Sequence, residues 1–147
     1  MKPIALGSDP NAAELKEILK AHLKSLGIPY QDYGSDDPVY ANVAFRVAEA
    51  VAGGQHERGI LLCGTGIGMS IAANKVRGAY AALCADAYSA ERARKSNNAN
   101  IMTLGAQVVG PELAKKLMEI WLEAEYTPGG RSEPKVNRIT EYDQERD

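Results

Sequence analysis

Five short apolar runs, at 3–7, 29–33, 59–63, 79–83 and 101–105, alternate along this chain with stretches of helical period. That alternation restricts the architecture more than any other feature. A strand rejoins a parallel neighbour only through a crossover, and repeated strand–helix order builds a mostly parallel sheet with helices on both faces. Leu15, Ile18, Leu19, Leu23 and Leu26 recur at helical spacing, and Gly27 ends the run. Ala44, Val47, Ala48 and Val51 do the same before Gly53-Gly54. Leu113, Leu117, Ile120, Trp121 and Ala124 form a third stripe, opened by Pro111 and Glu112, residue types suited to a first helical turn. No repeat and no linker interrupts the pattern, so residues 1–147 read as one doubly wound α/β domain with a five-stranded parallel sheet.

A chain of 147 residues is long enough to bury a substantial core. Its net charge of −2 gives no reason to expect nucleic acid or an anionic membrane as partner. No apolar run approaches the roughly 20 residues of a membrane helix. The first strand begins almost at Met1, which leaves no room for a signal peptide and makes the cytoplasm the expected compartment. Cys63 and Cys84 are too few for a disulfide framework, and with only His22 and His56 the sequence offers no zinc spacing. Cys84 reads as a small buried strand residue. The tail, 126–147, is different in composition. Thr127-Pro128-Gly129-Gly130 breaks the last long helix, and 141–147 reads as a solvated helix end or a frayed terminus.

Chemistry concentrates at Gly59-Ile60-Leu61-Leu62-Cys63-Gly64-Thr65-Gly66-Ile67-Gly68. A buried strand ends in a thiol, three alternate glycines follow, and a helix opens. Open α/β sheets bind ligands at that junction. Glycines let amide N–H groups converge on an anion, and a helix amino terminus favours a thiolate. The segment is neither a dinucleotide fingerprint, whose spacing it lacks, nor a P-loop, which ends in Gly-Lys-Ser/Thr. The bland alternative is a structural tight turn with an inert core cysteine.

Gly7-Ser8-Asp9-Pro10-Asn11 ends the first strand. Asp9 or Asn11 suits a helix N-cap, and Asp9 equally suits a ligand cleft shared with the third strand. Tyr40, after the turn Asp37-Pro38-Val39, is open between packing and substrate contact. Ser96-Asn97-Asn98-Ala99-Asn100 reads on physics alone as capping and turn residues. Arg131, Lys135 and Arg138 share one face if the tail is helical, as a solvated basic face or as a phosphate clamp.

Cys63 to Gly68 followed by Ser70-Ile71-Ala72-Ala73-Asn74-Lys75 resembles the signature of the type B ribose-5-phosphate isomerase and galactose-6-phosphate isomerase family. Gly7-Ser8-Asp9, Tyr88-Ser89-Ala90, Asn97-Asn98-Ala99-Asn100, Val108-Val109-Gly110 and Gly129-Gly130-Arg131 extend the resemblance over nearly the whole chain. It implies a Rossmann-like α/β/α sandwich, a homodimer or homotetramer with active sites shared between subunits, and an aldose–ketose isomerase that needs no metal or cofactor. The tail then becomes an arm that docks on a partner subunit. By resemblance Cys63 is the base, since the position where some relatives carry a glutamate is Ile67 here. The amides of Gly64, Gly66, Ile67 and Gly68 form the anion hole. Thr65 and Asp9 bind sugar oxygens or relay protons among them, Asn97 of a partner holds a hydroxyl, and Arg131 and Lys135 hold the phosphate.

Departures bear on substrate. Pro10 and Ser96 stand where ribose-5-phosphate members carry histidines, one gripping phosphate and one opening the furanose ring, and Gln107 replaces a phosphate-binding arginine. A tetrose 4-phosphate, with O4 esterified, forms no furanose and needs no ring opener. The run from Tyr88 to Ala93 with Ser96-Asn97-Asn98-Ala99 also resembles the branch acting on D-erythrulose 4-phosphate. The resemblance thus implies a tetrulose or pentulose phosphate substrate; galactose-6-phosphate enzymes pair two unlike chains. The rival reading is a non-catalytic, sugar-phosphate-binding or regulatory member, which missing histidines also fit.

Overall fold

In the computed structural model, which describes residues 1–146, all five expected strands form. They are β1 (Ile4–Ser8), β2 (Tyr30–Asp32), β3 (Gly59–Cys63), β4 (Ala81–Leu83) and β5 (Ile101–Gly105), all parallel in the order β2-β1-β3-β5-β4. The three central strands are buried along their length, as continuous apolar runs require. The edge strands are shorter than their apolar runs. Before β4, the Tyr80 amide donates to Asn100 Oδ1 and the Ala81 amide to Asn74 Oδ1, both at 2.8 Å, so side chains replace a strand partner.

Six helices cover the sheet: α1 (Ala13–Ser25), α2 (Tyr40–Ala52), α3 (Ile67–Ala73), α4 (Ala87–Lys95), α5 (Pro111–Glu123) and α6 (Glu133–Glu145). Successive strand side chains point to opposite faces, which gives two cores. Ile60 and Leu62 join Leu19, Leu23, Leu117 and Trp121 beneath α1 and α5. Leu61 and Cys63 face the other way, onto Val43, Val47 and Met69 of α2 and α3. Among the described residues no helix is long and apolar enough to cross a membrane.

The parallel crossovers decide where each loop lies. β4 ends at the carboxyl edge of the sheet, and α4 runs back to the amino edge before β5 begins. Asn100 therefore sits at the foot of β3, where its carbonyl accepts the Gly59 N–H at 2.9 Å, while Cys63 closes the same strand at the opposite end.

In the tail, the first of the two sequence readings, a helix end, holds, with the buried Asp143 as the departure from a solvated one. Residues 141–145 continue α6 instead of fraying, and Asp147 lies outside the described residues. A polar anchor orders this helix: the buried Asp143 accepts from the Gly78 amide at 2.8 Å and from the Tyr80 hydroxyl at 2.7 Å. Arg131 precedes α6, so Arg131, Lys135 and Arg138 do not form one continuous helical face.

A second polar anchor ties α1 to the edge strand β2. The buried Lys16 ammonium lies 2.7 Å from Asp32 Oδ1, and Lys20 lies 2.8 Å from Oδ2. Partial burial of Asp32 opposes its ionisation, but the hydrogen bonds from Lys16 and Lys20 outweigh it and lower the carboxyl from 3.8 to about 2. Because the folded value lies below the unfolded one, this stabilisation is complete above the unfolded value and is lost as pH falls through the folded one. Asp32→Asn leaves Lys16 without its close partner and lowers unfolding free energy at neutral pH by roughly 2 kcal/mol. Denaturant melts between pH 4 and pH 2 show the wild-type loss and a flatter profile in the variant; parallel profiles contradict the assignment.

Candidate active site

The winding of the sheet reverses between β1 and β3, and doubly wound folds open a crevice at the carboxyl ends on either side of such a reversal. Asp9 and Cys63 flank it. The Asp9 amide donates to the Leu62 carbonyl at 3.2 Å, which fixes the two strand ends together. One Asp9 carboxylate oxygen caps the turn at Pro10–Ala12 through the Ala12 amide at 3.0 Å. Its second oxygen accepts from no group among the described residues. The N-cap reading of Asp9 therefore holds for one oxygen, and the other is left unpaired among those residues.

The segment from Cys63 to Gly68 is a backbone cradle. Its carbonyls are taken from below: Ala106 N–H donates to Cys63 O and Gln107 N–H to Gly64 O, each at 2.9 Å, and Thr103 Oγ1 donates to Gly66 O at 2.9 Å. With the carbonyls committed, the amides turn outward. Gly66 donates to Cys63 Sγ at 3.2 Å and Ile67 to Thr65 Oγ1 at 3.2 Å. Among the described residues, no acceptor takes the amides of Gly64, Thr65 and Gly68. Because Thr65 Oγ1 already accepts, its own O–H is left to donate outward. Gly66 has φ +81, and a Cβ there would lie 2.6 Å from Leu83 Cδ1 and 2.9 Å from the Leu104 carbonyl carbon, so only glycine fits.

Tyr40 lies over the first turn of α3. A Cβ on Gly68 would fall 2.4 Å from its ring, yet the residue stays exposed. It is thus both a packing residue and a wall facing solvent. Gln107 lies over the cradle at Gly64, where it presents a neutral amide. Cys63 is buried, at 5% exposure, in the core cluster with Val43, Val47 and Met69, while its sulfur accepts from the Gly66 N–H of the loop. Cys84 differs: burial, reinforced by the Asp86 charge, pushes its thiol up to about 11, which suits an inert residue.

The remaining sequence candidates lie elsewhere. Ser96, Asn97, Arg131 and Lys135 line a cavity of 530 Å³ at the foot of α4 and the start of α6, on the amino-edge side of the sheet. Asp9, Tyr40, Cys63 and Thr65 line none of it. Two further cations, Arg92 and Lys95, do, and sequence reasoning did not single them out. Their signal was the basic last turn of α4 and the helical spacing of Tyr88, Arg92 and Ser96. Arg92 Nη1 donates to Ser96 Oγ at 3.0 Å. Asn97 Nδ2 caps α4 through the Arg92 carbonyl at 2.9 Å, which leaves its Oδ1 available. Arg138 does not reach the cavity. Within one chain the thiol cradle and the cationic cavity are separate half-sites.

Known proteins share this fold and much of this sequence. The family described as Ribose/Galactose Isomerase matches residues 4–139. A D-erythrulose-4-phosphate isomerase of Pectobacterium atrosepticum is 52% identical, over 97% of this chain and 96% of its own length. Ribose-5-phosphate isomerase B of Escherichia coli is 45% identical over 99% of each chain. The crystal structure of ribose-5-phosphate isomerase B from Mycoplasma genitalium with bound ribulose-5-phosphate has a TM-score of 0.91 and 35% identity, covering 98% of this chain and 97% of that one. The fold is accordingly the Rossmann-like sandwich of those enzymes, and the chain belongs to the ribose/galactose isomerase family.

Proposed function

We propose that this chain is an aldose–ketose isomerase for small sugar phosphates, working as a homodimer or homotetramer in which the cradle of one copy meets the cationic cavity of another. The separation of the two half-sites to opposite edges of one sheet carries this reading. An open-chain sugar phosphate presents a carbonyl at one end and a phosphate at the other, and the chain has a donor cradle for the first and cations for the second. Ile67 and Ile71 support the assembly. They stand 51% and 59% exposed on one face of α3 beside the cradle, apolar surface that a second copy would cover.

The reaction uses no external oxidant or reductant. The Cys63 thiolate takes the proton from C2 of the aldose. The C–H electrons form the C1=C2 bond, and the carbonyl π electrons move to O1 as an oxyanion held by the amides of Gly64, Thr65 and Gly68. The second oxygen of Asp9 and the Thr65 hydroxyl carry the proton of O2 to O1. Cys63 returns its proton to C1, and the ketose is formed. Asn97 Oδ1 accepts from a substrate hydroxyl, and Arg131 and Lys135 hold the phosphate.

Ser96 bears on the substrate. Its Oγ accepts from the Arg92 guanidinium, which lowers its basicity further, and a serine hydroxyl is in any case a poor base for opening a furanose ring. This favours D-erythrulose 4-phosphate and D-erythrose 4-phosphate, which stay open-chain, over ribulose and ribose 5-phosphate. The burial of Cys63 favours the second reading, a sugar-phosphate-binding member without turnover. Solvent deuterium appearing at C1 or C2 of the sugar rules that reading out; binding without exchange establishes it.

Cys63→Ala lowers kcat by about 10²–10⁴-fold while sugar phosphate binding persists; a variant with undiminished turnover removes Cys63 from the base role. Parallel kcat/KM values for D-erythrulose 4-phosphate and D-ribulose 5-phosphate test the substrate order, with the tetrulose expected to lead. Mixing tests the shared site. Cys63→Ala and Arg131→Ala chains, each inactive alone, are unfolded together and refolded in equal amounts. In a two-fold dimer, half the dimers are mixed and each carries one intact site, so about a quarter of wild-type activity returns. No recovery means that each site is built within one chain.

A further inference from the structure

Two cations suffice to neutralise a phosphate dianion, yet the 530 Å³ cavity is walled by four: Arg92 and Lys95 from α4, Arg131 and Lys135 from the tail. The one carboxylate that offsets them is Glu91, 3.2 Å from Arg92 Nη2 and 3.5 Å from Lys95 Nζ, and it lies outside the lining. Neither Arg131 nor Lys135 forms an ion pair among the described residues. Arg92 is the best fixed of the four. Its guanidinium is held by Ser96 Oγ on one side and Glu91 on the other, with the Tyr88 ring centred 6.0 Å from its Cζ. A planar guanidinium already oriented loses little freedom when a ligand arrives, and one hydrogen on each Nη remains uncommitted, while Nε–H is buried.

We propose that Arg92 is a specificity-determining residue, which together with Lys95 forms a second cationic wall that makes the cavity select a doubly charged phosphate over singly charged anions. The inference rests on the reading that this cavity receives the substrate's phosphate. A monoanion is satisfied by Arg131 and Lys135 alone and gains little from α4. A dianion has charge and acceptor oxygens left over for Arg92, which approaches from the other side of the cavity. Sulfonates and carboxylates of the same length are thereby disfavoured against the phosphate ester.

Inorganic phosphate is the probe, with its affinity measured by calorimetry on the full-length protein at about pH 5.5, where it is mainly a monoanion, and about pH 8, where it is mainly a dianion. The lining holds no histidine, cysteine or carboxylate, so none of the residue types that ordinarily titrate in or near this range walls the cavity. Wild type is expected to bind about tenfold more tightly at the higher pH. Arg92→Gln should reduce that ratio to about threefold or less, Arg92→Lys should keep most of it, and Arg138→Gln, outside the cavity, should keep all of it. An unchanged ratio in Arg92→Gln, or equal losses in the Gln and Lys variants, overturns the proposal. Turnover is assayed separately: intact phosphate selectivity without isomerisation sinks the isomerase reading and leaves Arg92 its role, whereas isomerisation with an unchanged Arg92→Gln ratio does the reverse.

Discussion

Parallel strands sort the connections of a sheet into two sets. Each βα loop lies at the carboxyl edge and each αβ loop at the amino edge, because every crossover helix brings the chain back to where the strands start. Five residues of strand hold the edges about 16 Å apart. Cys63 ends β3 and belongs to the first set. Asn97 follows α4 and belongs to the second, close to Asn100, which bonds the first residue of β3. No side-chain rotation brings these groups onto one small ligand. Within one chain the thiol at the first edge and the cations at the second therefore belong to separate half-sites, and the sheet topology imposes that separation.

The cradle shows how a backbone becomes a donor surface without a single charged side chain. Peptide units are two-sided, so fixing their carbonyls downward presents their N–H groups upward. Thr103 Oγ1, the Ala106 amide and the Gln107 amide, all from β5 or the turn after it, supply the downward bonds. The neighbouring strand therefore aims amides that it never touches. Gly66 is the sterically decisive residue of the segment, because the loop passes so close to Leu83 and Leu104 that any side chain would lift it off those bonds.

The sheet, five of the helices and the thiol cradle were legible in the sequence because each depends on a periodic or local signal. Apolar period distinguishes strand from helix, and alternate glycines after a strand mark a sharp turn. The edge strand β4 starts late because Asn74 and Asn100 compete for amides that the apolar run assigns to strand pairing. Helix and frayed terminus stayed open for the tail because its order comes from one buried carboxylate, Asp143, meeting Gly78 and Tyr80, residues more than sixty positions away. Such an anchor has no period. Arg92 and Lys95 were missed for another reason: cations in a helix's last turn are expected on electrostatic grounds alone, so their presence there singles out nothing. Arg131 and Lys135 were named through resemblance, and the structure places them with Ser96 and Asn97 around one cavity.

The hydrogen-bonding character of the two half-sites limits what can bridge them. The amino-edge cavity is dominated by donors: four cations and the hydroxyls of Tyr88, Ser96, Thr127 and Ser132, with Asn97 Oδ1 a free amide acceptor among them. The carboxyl-edge cradle offers outward amides, the Thr65 O–H, one free Asp9 oxygen and the sulfur. A ligand that satisfies both ends must therefore be rich in acceptors at each terminus and carry hydroxyls between them. A cyclic sugar phosphate lacks the terminal carbonyl, and its ring oxygen would have to be reopened by a base that the Arg92–Ser96 pair does not supply. An open-chain sugar phosphate has that character, and a four-carbon phosphate ester holds the open form without help from the protein.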